Sequence, residues 1–314
     1  MIAPDPSYLP TRLAVLRGPI LLRLETGPDP ADALASGLRE LASELLDAAG
    51  DRLTLTTTSG AARPSLRAGN VSYLALPAGL ELPPFVELLL QLDQLGQPPP
   101  SASSPLLGRL LLLTAPTCPR CPTAVAVCNQ LAAGSPGLEL SVVDALRFPE
   151  LAAGCRSVPT LIIDERRALV GPLRLEQLRA VLEQRGGPGE LNVDLSSLVQ
   201  AGRFSDAARL LDEAGGQVAF AQLFAEAPLS DRVGLLLLAE QILADQPGGL
   251  DGALPQLLRM QSSGDPTRRG DLADLLGRIG SPAARQALHA MLQDQHPEVR
   301  EAAREALASQ SAPN

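Results

Sequence analysis

Apolar and polar residues alternate along DRLTLTTTS (Asp51 to Ser59), a period of two that predicts a strand with one covered face. PILLRLE (Pro19 to Glu25) is strand-like as well, and ADALASGLRELASELLDAAG (Ala31 to Gly50) between them is a helical stretch. VSYLALP (Val71 to Pro77) and the apolar LPPFVELLLQLDQLG (Leu82 to Gly96) complete a β-α-β-β-α order. The order then recurs. RLLLLT (Arg109 to Thr114) leads to a helix from about Pro119 to Ala133, then to LELSVVD (Leu138 to Asp144) and a short helix near Glu150. PTLIID (Pro159 to Asp164), RALVG (Arg167 to Gly171) and a helix from Leu173 to Gln184 close it. QPPPSASSP (Gln97 to Pro105) has the composition of a linker between the two rounds, and RGGPGE (Arg185 to Glu190) is a second break. The predicted segments are 1–97 and 106–187, two similar α/β folds in tandem, and 191–314, which has no strand signal.

In the third segment, LNVDLSSLVQAGRFSDAARLLDEAG (Leu191 to Gly215) reads as a helical hairpin turned at Gly202. Setting DPTRRGDLADLLG (Asp265 to Gly277) over HPEVREAAREALA (His296 to Ala308) matches Pro266 with Pro297, Arg269 with Arg300 and Leu276 with Leu307, a constant offset of 31. LSDRVGLLLLAEQIL (Leu229 to Leu243) fits the same scheme only with a change of length. These residues resemble HEAT-type repeats, whose units bury their apolar faces by stacking and leave a broad surface free for a protein partner.

Composition removes several alternatives. With 314 residues, 45% of them hydrophobic, the chain has core enough to fold without disulfide or metal staples. Aromatic residues make up only 2% and Trp is absent, so Leu, Ala and Val carry the apolar mass and helix should exceed strand. A formal net charge of −9, with no run of Lys and Arg among aromatics, argues against nucleic acid as a partner. The N-terminal MIAPDPSYLPTRLAVLRG lacks the form of a signal peptide, and no apolar run approaches membrane-spanning length. The expected location is the cytoplasm, where thiols stay reduced and a CxxC serves catalysis or metal binding more often than stapling.

Such a pair stands in TAPTCPRCPTAVAVCNQL (Thr114 to Leu131). A Cys in the first turn of a helix aims its sulfur at unpaired N–H groups and the positive end of the helix dipole, which favours the thiolate. Cys118 has that place, Arg120 adds a cation that stabilises the thiolate, and Pro119 suits a first helical turn. Cys121, one turn on, can resolve a mixed disulfide formed on Cys118. Zinc is the competing use, but it takes four N or S ligands, and neither His289, His296 nor another CxxC supplies the missing half. No metal site is expected. Both His residues read as surface polar groups. Cys128 and Cys155 read as small core residues, with a second, regulatory disulfide as the alternative. In the first fold TGPDPADA (Thr26 to Ala33) occupies the loop where a CxxC would sit, so that fold is expected to be redox-inactive, with Asp29 and Asp32 as helix-start residues.

About 40 residues beyond the cysteines, CRSVPTLIID (Cys155 to Asp164) opens a strand with Val-Pro-Thr. Together with the CxxC this resembles the thioredoxin fold. The resemblance implies that Pro159 is cis and faces the cysteines, and that the Val158 backbone is turned outward, where an extended substrate can pair with it. The tandem order, with CPRCP and SVPT only in the second fold, is similar to the N-terminal domain of the bacterial alkyl hydroperoxide reductase flavoprotein subunit and to glutaredoxin-like protein disulfide oxidoreductases. It covers roughly Arg17 to Arg185. The resemblance implies a dithiol-disulfide oxidoreductase that takes electrons from a flavoprotein reductase or dithiol donor and delivers them to a protein disulfide. No GxGxxG fingerprint is present, so no bound cofactor is expected and a flavin reductase would be a separate chain. The strand before the motif, Arg109 to Leu113, lacks the carboxylate that some relatives bury near the cysteines, which leaves the proton-transfer partner undefined. The alternative function is an interaction protein in which the helical repeats act and the thioredoxin-like part is a scaffold or redox sensor.

Overall fold

In the computed structural model, which describes residues 7–29, 31–95, 106–183 and 189–310, the two rounds of strands build one sheet. A short helix α1 (Tyr8–Leu13) precedes β1 (Ile20–Thr26), α2 (Ala33–Ala49), β2 (Leu53–Ser59), β3 (Ser65–Ala68), β4 (Val71–Leu74) and α3 (Leu82–Leu95). The second round is β5 (Gly108–Thr114), α4 (Cys121–Ala133), β6 (Leu138–Asp144), β7 (Thr160–Ile163), β8 (Arg167–Val170) and α5 (Leu175–Glu183). Asp32 caps α2, its carboxylate accepting from the Leu34 and Ala35 amides, and Asp29 accepts from the Ala31 amide, so both serve the helix start.

The sheet runs β2-β1-β3-β4-β6-β5-β7-β8, the same order twice. In each half the first two strands pair in parallel and the next two antiparallel. The halves meet where β4 pairs in parallel with β6, Val71 opposite Leu140 and Leu74 opposite Val143. Isolated halves would expose these two strands as open edges; joining them satisfies both ladders at once. Below the seam α3 packs on α4, and one apolar cluster runs from Leu22 through Phe85 and Val125 to Leu182. Two side-chain amides tie the halves further. Asn70 donates to the carbonyls of Ala132, Ser135 and Leu138, and buried Asn129 donates to the Tyr73 hydroxyl and the Pro84 carbonyl.

Two expectations need correction. No helix forms near Glu150. Asp144 accepts from the Leu146 and Arg147 amides in a turn of its own, Pro149 has no N–H to extend a ladder, and Gly154 breaks the segment with φ +77. The stretch from Ala145 to Val158 is a series of turns instead. Strand β3 was not foreseen: four residues that include Arg67 carry too little alternation to read from sequence. The linker Gln97 to Pro105 and most of the break at Arg185 to Glu190 lie outside the described residues.

The chain divides into two units, Met1–Arg185 and Gly186–Asn314. The second is helical: α6 (Glu190–Ala201), α7 (Phe204–Leu211), α8 (Gly216–Glu226), α9 (Leu229–Asp245), α10 (Leu254–Leu257), α11 (Pro266–Ile279), α12 (Pro282–Met291) and α13 (Pro297–Ser309). Gly202, with φ +78, turns the α6–α7 hairpin at the expected residue. Arg232, Arg269 and Arg300 each take the fourth position of their helix, and each donates to a carbonyl just upstream, of Ala227, Ser263 and Asp294. That shared bond brings α9 into the repeat that sequence alignment extended to it only with a change of length. Among the described residues no helix is long and apolar enough to cross a membrane.

Candidate active site

Thr114 ends β5 beneath a turn in which the Cys118 amide donates to the Ala115 carbonyl. Arg120 is the N-cap of α4, exposed and without a side-chain capping bond, and Pro122 occupies the first turn. The helix starts at Cys121, so Cys118 and Pro119 stand just ahead of it, not within its first turn as the sequence reading had them. Cys118 and Cys121 are joined as a disulfide, with Cα atoms 5.5 Å apart. Cys118 is half-buried, whereas Cys121 has no exposure at all. The Val158–Pro159 peptide bond is cis, and the Val158 carbonyl oxygen lies 3.7 Å from Cys118 Sγ. The residues singled out on both sides of the 40-residue gap thus come together.

Neither of the other two cysteines is in a disulfide. Cys128 is buried in the core beneath α4, where burial pushes its thiol up to about 12 and keeps it protonated. Cys155 is half-buried beside Val158, against the cluster of Leu113, Val143, Phe148 and Ile162. Among the described residues no three His, Cys, Asp or Glu side chains gather as a metal site.

Cys118 lies in the wall of a cavity of about 900 Å³ that both halves line. The second half supplies Thr117, Pro122, Asp144 and Arg147; the first supplies Leu34, Leu76, Leu80 and Pro83, together with Glu81. The start of α2 faces this space for a topological reason. Strands β1 and β5, and helices α2 and α4, begin 88 residues apart (Ile20 to Gly108, Ala33 to Cys121), so Ala33, in the cavity wall, occupies the place of Cys121.

Glu81 closes a single 3₁₀ turn, Gly79–Glu81, that packs against α4. It is 7% exposed, and its Oε1 has no hydrogen-bond partner among the described residues. Burial, and secondarily the charge of Asp144, pushes its carboxyl from an ordinary 4.5 up to about 7. Glu81 and Cys118 line the same cavity. The sign available in the sequence was a lone acid between Leu80 and Leu82, but nothing local says that it is buried, because α4 covers it from the other half.

The turns that carry Val158 are held from the first half as well. Arg147 pairs with Asp32, whose acidity is raised mainly by the Ala35 amide and further by Arg147. Arg63 donates to Glu150 at 3.0 Å and sits 5.9 Å from the centre of the Phe148 ring.

Comparison with known proteins finds family matches in part of each unit. Residues 111–183 match the family profile of a thioredoxin domain, and residues 248–313 that of HEAT repeats. Among solved structures, a protein disulfide oxidoreductase from Aeropyrum pernix K1 is 20% identical, with a TM-score of 0.49 over 57% of this chain and 90% of that one. The N-terminal domain of alkylhydroperoxide reductase AhpF from Enterococcus faecalis (V583) is also 20% identical, with a TM-score of 0.48 over 56% of this chain and 97% of that one. No curated protein matches the sequence. The chain carries a thioredoxin domain, set in a doubled α/β sheet, and a C-terminal run of HEAT repeats.

Proposed function

We propose that the protein is a dithiol-disulfide oxidoreductase acting on a protein disulfide. The observation that carries this reading is the Cys118–Cys121 disulfide, one sulfur half-buried in a cavity wall and the other buried behind it. In the reduced protein, the Cys118 thiolate attacks one sulfur of the substrate, whose S–S bond breaks as a mixed disulfide forms. Cys121 then loses its proton and attacks Cys118 Sγ. The substrate's other sulfur has left as a thiolate in the first step; now the Cys118–Cys121 bond forms, the sulfur that Cys118 had attacked leaves, and two electrons and two protons end on the substrate dithiol. Arg120 stabilises the thiolate of Cys118, and Pro159 presents the Val158 backbone to an extended substrate.

Glu81 is assigned the proton of the second step. A carboxyl pushed up to about 7 is divided between its acid and base forms near neutrality, the condition in which a proton can both arrive and leave. Regeneration draws two electrons from a small dithiol or from a flavoprotein reductase on another chain. The HEAT repeats are assigned the docking of a protein partner, since stacked helices offer surface and no nucleophile.

Trapping tests the reading. Cys121→Ser should accumulate a mixed disulfide on Cys118, identified by mass spectrometry, while Cys118→Ser should lose turnover to background. Turnover that survives Cys118→Ser, or trapping on Cys128 or Cys155 instead, would refute it.

A further inference from the structure

Leu80 is 72% exposed and Leu76 41% exposed, yet both line the cavity that holds Cys118, Leu76 before the turn that ends at Glu81 and Leu80 within it. Large apolar side chains left open around a concave site mark binding surface more often than accident. Leu76 is seated deliberately: its Cδ2 lies 3.1 Å from the point where a Cβ on Gly37 would stand, so a glycine inside α2, unfavourable there by about 1 kcal/mol, makes room for it. The charges of the cavity point the same way. Arg147 is already paired with Asp32, which leaves the Asp144 carboxylate, joined by the ionised fraction of Glu81, to repel an incoming acid.

We infer that the CxxC-less half is the specificity element of the site, and that it selects a polypeptide segment whose disulfide-bonded cysteine has aliphatic neighbours. Leu34, Leu76 and Leu80 take the aliphatic side chain while Cys118 attacks the adjacent sulfur. The inference rests on the oxidoreductase reading and deepens it. The exchange is the one already balanced above, with the substrate's disulfide reduced to two thiols and an external dithiol as electron source.

The test compares disulfide-linked dimers of short peptides that differ only in the residues flanking cysteine, Leu, Gly or Asp, with hydroxyethyl disulfide as the unflanked reference. The full-length protein is used, with dithiothreitol supplying electrons. The expected order of kcat/KM is Leu over Gly over Asp, with about ten-fold between Leu and Gly, the discrimination that small differences in apolar contact achieve. Leu80→Ser and Leu76→Ser should each shrink the Leu-to-Gly ratio towards one; Leu80 is largely in solvent, so its variant tests the ratio with folding not at stake, and circular dichroism checks the fold of the Leu76 variant. Gly37→Ala, which forces Leu76 to shift, should change the same ratio. Reduction of hydroxyethyl disulfide with equal rates on all three peptides, or a ratio unmoved by the Leu variants, overturns the inference and leaves the oxidoreductase reading standing. Failure to reduce any disulfide overturns the oxidoreductase reading itself, and this inference with it.

Discussion

Both units bury charged side chains, and they treat them in opposite ways. In the helical unit Arg232 donates to Asp271 at 2.6 Å, and Arg269 grips both oxygens of Asp294 at 2.7 and 2.9 Å. Asp206 is shared by Arg203 and Arg209. In the α/β unit the buried acid Glu81 has a carboxyl oxygen with no partner among the described residues and a raised protonation point. A buried charge that is fully paired holds two elements in register; one left unpaired keeps its titration near neutral pH and stays available for chemistry. The comparison separates a structural role from a working one without reference to any relative.

The largest effect expected from it lies in the repeats. Arg269→Ala leaves Asp294 buried without its cation and should cost about 3 kcal/mol in the stability of the helical unit. The double variant Arg269→Met with Asp294→Asn should recover part of that, since Asn keeps an acceptor for the His296 amide. Trp is absent from the chain, so the unfolding transition is followed by circular dichroism. A loss below about 1 kcal/mol would mean that the buried pair holds nothing in place. Asp294 is held below its ordinary 3.8, first by Arg269, so its contribution is present above that value and fades as pH falls through the lowered one.

Glu81 should behave in the reverse sense. Its folded value of about 7 stands above the ordinary 4.5, so the native state is favoured fully below 4.5 and loses that advantage as pH rises through 7. Glu81→Gln should therefore stabilise the α/β unit at pH 8.5 by on the order of 3 kcal/mol and change little at pH 4.5. It should also flatten the rise of turnover through pH 7. Equal destabilisation at both pH values would show that the carboxyl is a structural group and would remove it from the mechanism.

What sequence disclosed about this site follows the range of the forces involved. The CxxC, the Val-Pro-Thr and the cap at Asp32 are local patterns: the two cysteines form a disulfide, the Val158–Pro159 bond is cis and Asp32 caps α2, though α4 starts at Cys121 and leaves Cys118 ahead of it. The apolar strands β5 and β6, covered on both faces, announced themselves by composition. The pairing of β4 with β6 did not, because joining two edges depends on residues about 70 positions apart. Glu81 was hidden for the same reason: a helix from the other half buries it. The arginine ladder stands between these cases, its spacing legible and its carboxylate partners not.

The smallest effect tests whether exposed charges matter where buried ones do. Arg63 and Glu150 tie the turns before Val158 to the first half, but they are 36% and 53% exposed, where water and salt weaken an ion pair. The Glu150 carboxyl is held below its ordinary range, first by its own amide and then by Arg63. Arg63 also lies over the Phe148 ring, a cation–π contact that charge reversal at Arg63 removes. If the tether positions the Val158 backbone for substrate, Arg63→Glu should raise KM for a peptide disulfide by roughly two- to three-fold with kcat nearly unchanged, a modest effect in keeping with an exposed pair. Adding Glu150→Arg should restore KM at low ionic strength and less completely at high, since only the charge term is recovered in full. A single variant with unaltered KM, or a double variant no better than the single, would show that the turns keep their shape through Phe148 and its apolar neighbours alone, and that only the paired and unpaired charges of the interior divide the labour of this protein.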